Sequence, residues 1–172
     1  LVILGASGAG KSSFLRAGLL ARLERDTESF IVLPMLRPSK PLSDWCSDLN
    51  NLYPGLATSE QTPVDKLLTT IHESVVKNLS AFQLVQNDSL KQLTFILPID
   101  QAEELFNASS PESQLALRLV EAAHNADTDL ISIITIRSDS FSLLQNEGRL
   151  RQIKRFLFPL DAMENTAFKE VI

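Results

Sequence analysis

The chain has almost none of the residues that build disulfides or transition-metal centres. Its 172 residues include one cysteine, Cys46, and two histidines, His72 and His124, far apart in sequence. A single cysteine excludes an internal disulfide and fits a reducing cytoplasm. Two scattered histidines make no transition-metal site, and each reads as an ordinary helix residue. No apolar run approaches the roughly 20 residues needed to span a bilayer, and no signal peptide opens the chain. Positive charge is not in excess either. Sixteen basic residues face 21 acidic ones for a net charge of −5, which argues against broad binding to nucleic acid or anionic membranes. There is no internal repeat and no low-complexity segment. What is present is ordinary for a soluble globular domain, with 44% apolar and 22% charged residues and enough length to bury a core. The chain opens inside a strand and stops within a nascent helix, so a piece of a longer polypeptide is expected.

Glycine is also scarce, with six in all, yet Gly5, Gly8 and Gly10 fall within the first ten residues. Leu1 to Leu4 read as a short apolar strand, and a helix is expected from about Lys11. Between them, Gly5, Gly10, Lys11 and Ser12 occupy the fixed positions of G-x-x-x-x-G-K-[ST], the phosphate-binding loop. The loop as a whole, Gly5, Ala6, Ser7, Gly8, Ala9, Gly10, Lys11, Ser12 and Ser13, is the candidate nucleotide-binding segment. Backbone N–H groups must curl around a phosphate there, and the three glycines permit the required dihedrals. The helix N-terminus adds unpaired N–H groups and a positive dipole end. Lys11 is placed to neutralise β- and γ-phosphates, and the Ser12 hydroxyl to ligate Mg²⁺. The competing reading is a glycine-rich turn between two core elements.

Beyond the loop, Leu15, Leu19 and Leu23 recur at helical spacing. Phe30 to Leu36 reads as a second strand, followed by a short helix from Pro41 through Leu49. Residues 53–61 have the composition of a loop. Thr62-Pro63 then starts a helix with Val64, Leu68, Ile71, Val75 and Leu79 on one face. Leu93 to Ile99 is a nearly continuous apolar strand. Ser110-Pro111-Glu112 starts another helix, with Leu115, Leu119 and Ala122 on its inner face. Leu130 to Ile136 is a strand tipped by Arg137, and Phe156 to Leu160 is a last strand. Strands alternating with helices imply crossovers and a parallel sheet, covered on both faces.

Ligands of such sheets sit outside the carboxyl ends of the strands. That gathers the phosphate loop, Asp100 and Arg137 in one place. Asp100 ends an apolar run, as the Mg²⁺-supporting aspartate of a Walker B element does; the alternative is a helix cap. Glu104, with Glu103 in reserve, is the candidate base for the water that attacks a γ-phosphate. The alternative for both is a helix first turn that favours acids. Arg137 reads either as a γ-phosphate contact or as a salt-bridge partner of Asp139 or Glu104.

These residues together resemble the STAND class of P-loop NTPases, specifically the bacterial novel STAND group. Gly5-Ala-Ser-Gly-Ala-Gly-Lys-Ser-Ser-Phe-Leu-Arg-Ala-Gly-Leu-Leu20 is similar to that group's extended phosphate loop and helix. Ile99-Asp-Gln-Ala-Glu-Glu-Leu-Phe106 is similar to its Walker B element, and Thr135-Ile-Arg-Ser-Asp-Ser-Phe141 to its sensor strand. Leu36-Arg-Pro38 and Pro41-Leu42 suit the linker between them.

The resemblance implies a three-layer α/β fold with a parallel five-stranded sheet of order 5-1-4-3-2. In that order the arginine-tipped strand lies between the phosphate-loop and Walker B strands. A nucleotide-binding domain over 1–160 would be followed at 161–172 by the start of a helical lid. The resemblance also implies ATP and Mg²⁺ as ligands, and a cytoplasmic switch of low turnover in a larger signalling or antiphage-defence protein. Such a protein carries effector and WD- or TPR-type sensor domains and forms nucleotide-dependent homo-oligomers. Adenine specificity comes from the resemblance alone. Two departures stand out. Ala102 replaces an aromatic, and Pro98 lies inside a presumed central strand, where a bulge or local irregularity is expected. A nucleotide-gated scaffold without turnover and a small-molecule kinase are the competing functions.

Overall fold

The computed structural model describes residues 1–52, 94–125 and 129–161. The loop expected at 53–61, the helix expected from Thr62 with His72 on it, and residues 162–172 of the expected lid segment lie outside the described residues. Five strands, β1 (Val2–Gly5), β2 (Phe30–Val32), β3 (Thr94–Ile99), β4 (Leu130–Arg137) and β5 (Leu157–Pro159), form one sheet. Every pairing is parallel, and the order is β2-β3-β4-β1-β5. Read from the other edge, this is the expected 5-1-4-3-2. The arginine-tipped β4 lies between β1 and β3, with Gly5 opposite Arg137.

Each sheet face packs against its own set of helices. On one face, Ile3, Ile96 and Ile133 meet Leu15 and Leu20 of the helix that follows the phosphate loop. On the other, Val2, Phe95, Leu97, Ile99, Ile134 and Ile136 pack with side chains of helices Leu42–Leu52, Pro111–Asn125 and Phe141–Asn146. This explains the apolar runs of β3 and β4, since neither face of either strand's centre meets water.

The first helix differs from the regular amphipathic expectation. It runs as Lys11–Ser13, Phe14–Leu20 and Ala21–Leu23, and the middle stretch is wound as a π-helix. The wider turn brings Leu15 and Leu20, five apart, to full burial, whereas Leu19 and Leu23 are only partly buried. Helix Pro111–Asn125 also presents a shifted face. Ser110 caps it, its Oγ accepting from the Ser113 amide at 3.2 Å. Ala116, Leu119, Val120 and Ala123 are buried, while Leu115 lies at the edge of the stripe and is exposed.

Pro98 behaves in an unexpected way. Strand β3 passes through it without a break, pairing Pro98 with Ile133 on the β4 side. The irregularity falls on the neighbouring segment. Val32 pairs with Ile96 but Leu36 bridges Ile99, so four steps on one side match three on the other, a bulge. The Leu36 amide donates to the Pro98 carbonyl at 2.8 Å, which shows that Pro98 faces this neighbour. A regular ladder, continued from the Thr94 amide that donates to the Ser29 carbonyl at 2.9 Å, would have the amide of residue 98 donate to the Leu33 carbonyl. Proline has no such donor, and the next carbonyl along, that of Pro34, takes the Trp45 indole N–H at 2.7 Å. The expected strand Phe30–Leu36 is therefore cut to Phe30–Val32 plus a single bridge. The bulge carries the chain to Leu36, whose carbonyl accepts from the Asp100 amide at 3.0 Å and fixes the end of β3.

Candidate functional site

The phosphate loop joins β1 to its helix at the carboxyl edge of the sheet. Its glycines are required for two different reasons. Gly8 and Gly10 have φ of 79° and 81° and open space where a Cβ would stand, so they answer a backbone demand. Gly5 has no left-handed backbone. A Cβ there would stand 2.7 Å from the Leu160 carbonyl oxygen and 3.2 Å from the Ala9 Cβ. The sequence reading gave all three glycines a dihedral role, and for Gly5 the reason is instead the close approach of the chain leaving β5. The Lys11 ammonium lies over the loop, donating to the carbonyls of Gly5 at 2.9 Å and Ala6 at 2.7 Å.

Asp100, at the tip of β3, is 3% exposed and accepts three side-chain hydrogen bonds. Ser12 Oγ and Thr135 Oγ1 both donate to its Oδ1 at 2.7 Å, and the Arg16 guanidinium donates to Oδ2 at 2.9 Å. Burial pushes this carboxyl up, but the Ser12 and Thr135 hydroxyls and the Arg16 cation more than reverse it. The net result lies below the ordinary carboxylate value. Asp100 is thus an ionised carboxylate whose local ties join the phosphate-loop helix, β3 and β4. A buried charge needs such partners.

A cavity of ≈ 270 Å³ opens above these groups. Its walls are Ser7, Gly8, Gly10, Lys11, Ser12 and Ser13 of the loop, with Gln101, Glu103, Thr135 and Arg137 opposite. Of the two candidate bases, Glu103 lines the cavity and Glu104 does not. Glu103 also accepts from the Arg137 amide at 3.3 Å. Glu104 has one buried carboxylate oxygen, Oε2, without a hydrogen-bond partner. Arg137 lies on the cavity wall and grips Asp139 through both its Nε and a terminal nitrogen. That grip raises the pKa of the guanidinium and lowers that of the carboxylate. The two sequence readings of Arg137, cavity residue and salt-bridge partner, therefore coexist. His124 is remote from all of this, within 3.1 Å of Ser132 Oγ, and burial lowers its pKa.

Arg16, Thr135 and Gln101 lie within the stretches that carry the family resemblance, but the sequence reading gave them no role in the site. Arg16 had one usable signal, its place four residues after Ser12 on the same helix. Thr135 had another, as a polar residue two places before Arg137 on the same strand face.

The donor set fits a divalent cation of the hard, oxygen-seeking kind. Among the described residues no group of three or more His, Cys, Asp or Glu side chains is placed to hold a metal. At the start of the loop helix the Ser12 hydroxyl and the ionised Asp100 carboxylate stand side by side, 2.7 Å apart. That sparse oxygen set suits a small cation that keeps its waters and is shared with a polyphosphate. Among the described residues no helix is long and apolar enough to cross a membrane.

The family model described as Novel STAND NTPase 1 matches residues 1–172. Among solved structures, the fold is similar to the Aeropyrum pernix ORC2 protein in its ADPNP–ADP complexes, with a TM-score of 0.62 and 14% identity. The match covers 99% of this chain and 43% of that one. The Aeropyrum pernix ORC1 protein in complex with DNA is also similar, with a TM-score of 0.54 and 14% identity over 99% of this chain and 41% of that one. The chain thus spans about two-fifths of the length of these neighbours. At such identities the likeness concerns the fold. No curated protein sequence matches the chain.

Proposed function

The chain belongs to the novel STAND NTPase 1 family, and from that membership we propose that it is the ATP-binding, slowly hydrolysing switch module of a larger signalling or defence protein. The observation that carries this reading is the Asp100 carboxylate, bound at once by Ser12 of the phosphate loop, Thr135 of β4 and Arg16 of the loop helix. A group so placed joins the nucleotide loop mechanically to the strand tipped by Arg137.

The proposed roles follow from position. Gly5 to Ser13 hold the phosphates, with Lys11 supplying a positive charge from above the loop. Ser12 and Asp100 would hold Mg²⁺, which when bound neutralises charge on the β- and γ-phosphates. Glu103 faces the cavity and is placed to accept a proton from water, so the role first given to Glu104 passes to Glu103. Glu104 lies in the short helix Ala102–Phe106, where its amide donates to the Gln101 carbonyl at 3.0 Å. Arg137 reads the terminal phosphate, exchanging Asp139 for it.

A second reading has an observation of its own. The Arg16 cation already offsets the charge of Asp100, as a nucleotide-gated scaffold without turnover would tolerate. Phosphate release from the full-length protein, at saturating ATP and Mg²⁺, decides between them. Turnover that is lost in Glu103→Gln supports the switch with hydrolysis. Tight binding with no release supports the scaffold. In either case nucleotide-dependent homo-oligomerisation with fused effector and sensor domains is the proposed output, and sedimentation with ATP against ADP tests it.

A further inference from the structure

Gln101 is the one non-glycine residue with a left-handed backbone among the described residues, at φ 58° and ψ 51°. Side chains other than glycine, asparagine and aspartate rarely take that conformation, because Cβ crowds the carbonyl oxygen. Such residues persist where neighbours fix them, and they gather at functional sites. Here the neighbours can be named. The Gln101 amide donates to Thr135 Oγ1 at 3.0 Å, the same hydroxyl that donates to Asp100. Its carbonyl accepts from the Glu104 amide at 3.0 Å, which starts the short helix.

This fixed, strained backbone leaves the Gln101 side chain exposed on the cavity wall, facing the phosphate loop and sharing that wall with Glu103 and Arg137. Glycine would take the same backbone without strain. The long carboxamide therefore needs a reason at this place. Its chemistry supplies one. A carboxamide both accepts and donates a hydrogen bond but cannot take up a proton at neutral pH. It can hold a water molecule in line without competing for its proton.

We propose that Gln101 orients the water that attacks the terminal phosphate, with Glu103 taking the proton. This rests on the NTPase reading. The water oxygen forms a bond to the γ-phosphorus, and the bond from that phosphorus to the β–γ bridging oxygen breaks. The electron pair leaves on the nucleoside diphosphate, and the water proton passes to the Glu103 carboxylate. The products are nucleoside diphosphate and inorganic phosphate. The strain at Gln101 is then the cost of aiming the amide.

The test uses the full-length protein and two variants, Gln101→Gly and Gln101→Asn. Both suit the left-handed backbone, and neither carries the amide to the same reach. ATP affinity, phosphate release and melting temperature are measured for each. Expected are affinity within about twofold of wild type and release slowed about tenfold or more. Both variants should melt at or above the wild-type temperature, since strain is relieved. A merely structural residue would not slow the reaction while leaving stability intact. Wild-type release rates in either variant overturn the inference, as do losses of affinity equal to the losses of rate, or a fall in melting temperature alongside the rate. Wild-type protein that binds ATP but releases no phosphate overturns it and leaves the binding reading standing. Wild-type protein that binds no triphosphate overturns both.

Discussion

Arg16 and Asp100, 84 residues apart in the chain, form an ion pair at 2.9 Å in which the carboxylate is buried and the guanidinium about half exposed. The same carboxylate takes hydroxyl donors from Ser12 and Thr135. Removing its charge therefore does two things at once. Asp100→Asn turns an amide NH₂ toward at least one of these donors and leaves Arg16 without its counter-charge. The fold should lose about 1–3 kcal/mol, and Mg²⁺-dependent nucleotide binding should weaken in the protein that remains folded. Chemical denaturation and calorimetry measure the two effects separately. Unchanged stability would mean that the network contributes nothing to folding.

Thr135→Val isolates one limb of that network. The substitution keeps the shape of the buried side chain and removes the donor to Asp100 together with the acceptor of the Gln101 amide. A loss of about 1–3 kcal/mol is expected, mostly from the unpaired buried groups. The ATPase rate should fall further than stability alone explains, because Gln101 loses its support. A variant as stable and as active as wild type would contradict the role given to this hydroxyl.

The acid side of the stability profile carries the same information. The folded pKa of Asp100 lies below the ordinary carboxylate value, while in the unfolded chain it is about 4. A depressed folded pKa gives stability that is complete above the unfolded value and is lost as pH falls through the folded one. The stability gap between wild type and Asp100→Asn should hence stay constant from neutrality to about pH 5, and close only below about pH 4. A gap that closes at higher pH would mean that the carboxyl is not held ionised.

Much of this was legible in the sequence because the backbone dictates residue type there. The phosphate loop needs left-handed glycines at Gly8 and Gly10, and the buried strands β3 and β4 need apolar residues on both faces. Sheet order came from the resemblance. Other features depend on partners distant in sequence. Gly5 is required by Leu160, the truncation of β2 follows from Pro98 on the neighbouring strand, and Leu20 is buried by a π turn that no spacing of leucines announces. Arg16 and Thr135 look like a surface arginine and a strand threonine until Asp100 is placed between them. That Glu103 lines the cavity and Glu104 does not was equally hidden, because adjacent residues of a short helix point in different directions.

Arg137 gives the nucleotide-state prediction. Its guanidinium lies on the cavity wall in the grip of Asp139. Arg137→Ala should lower ATP affinity by about tenfold, as for a charge-assisted hydrogen bond, and leave ADP affinity nearly unchanged. Asp139→Asn should do the reverse in direction, favouring ATP by freeing the arginine. Titrations with both nucleotides on both variants measure this. Equal losses for ATP and ADP in Arg137→Ala would rule out reading of the terminal phosphate.

Lys11 tests the whole account. Its ammonium lies over the loop, bonded to the carbonyls of Gly5 and Ala6, and it takes no part in the core. Calorimetric titration of full-length wild type and Lys11→Ala with Mg-ATP should show binding in the first and none measurable in the second, with matching melting temperatures in the absence of nucleotide. Equal ATP affinity in the two proteins would contradict the claim that this loop holds the phosphates.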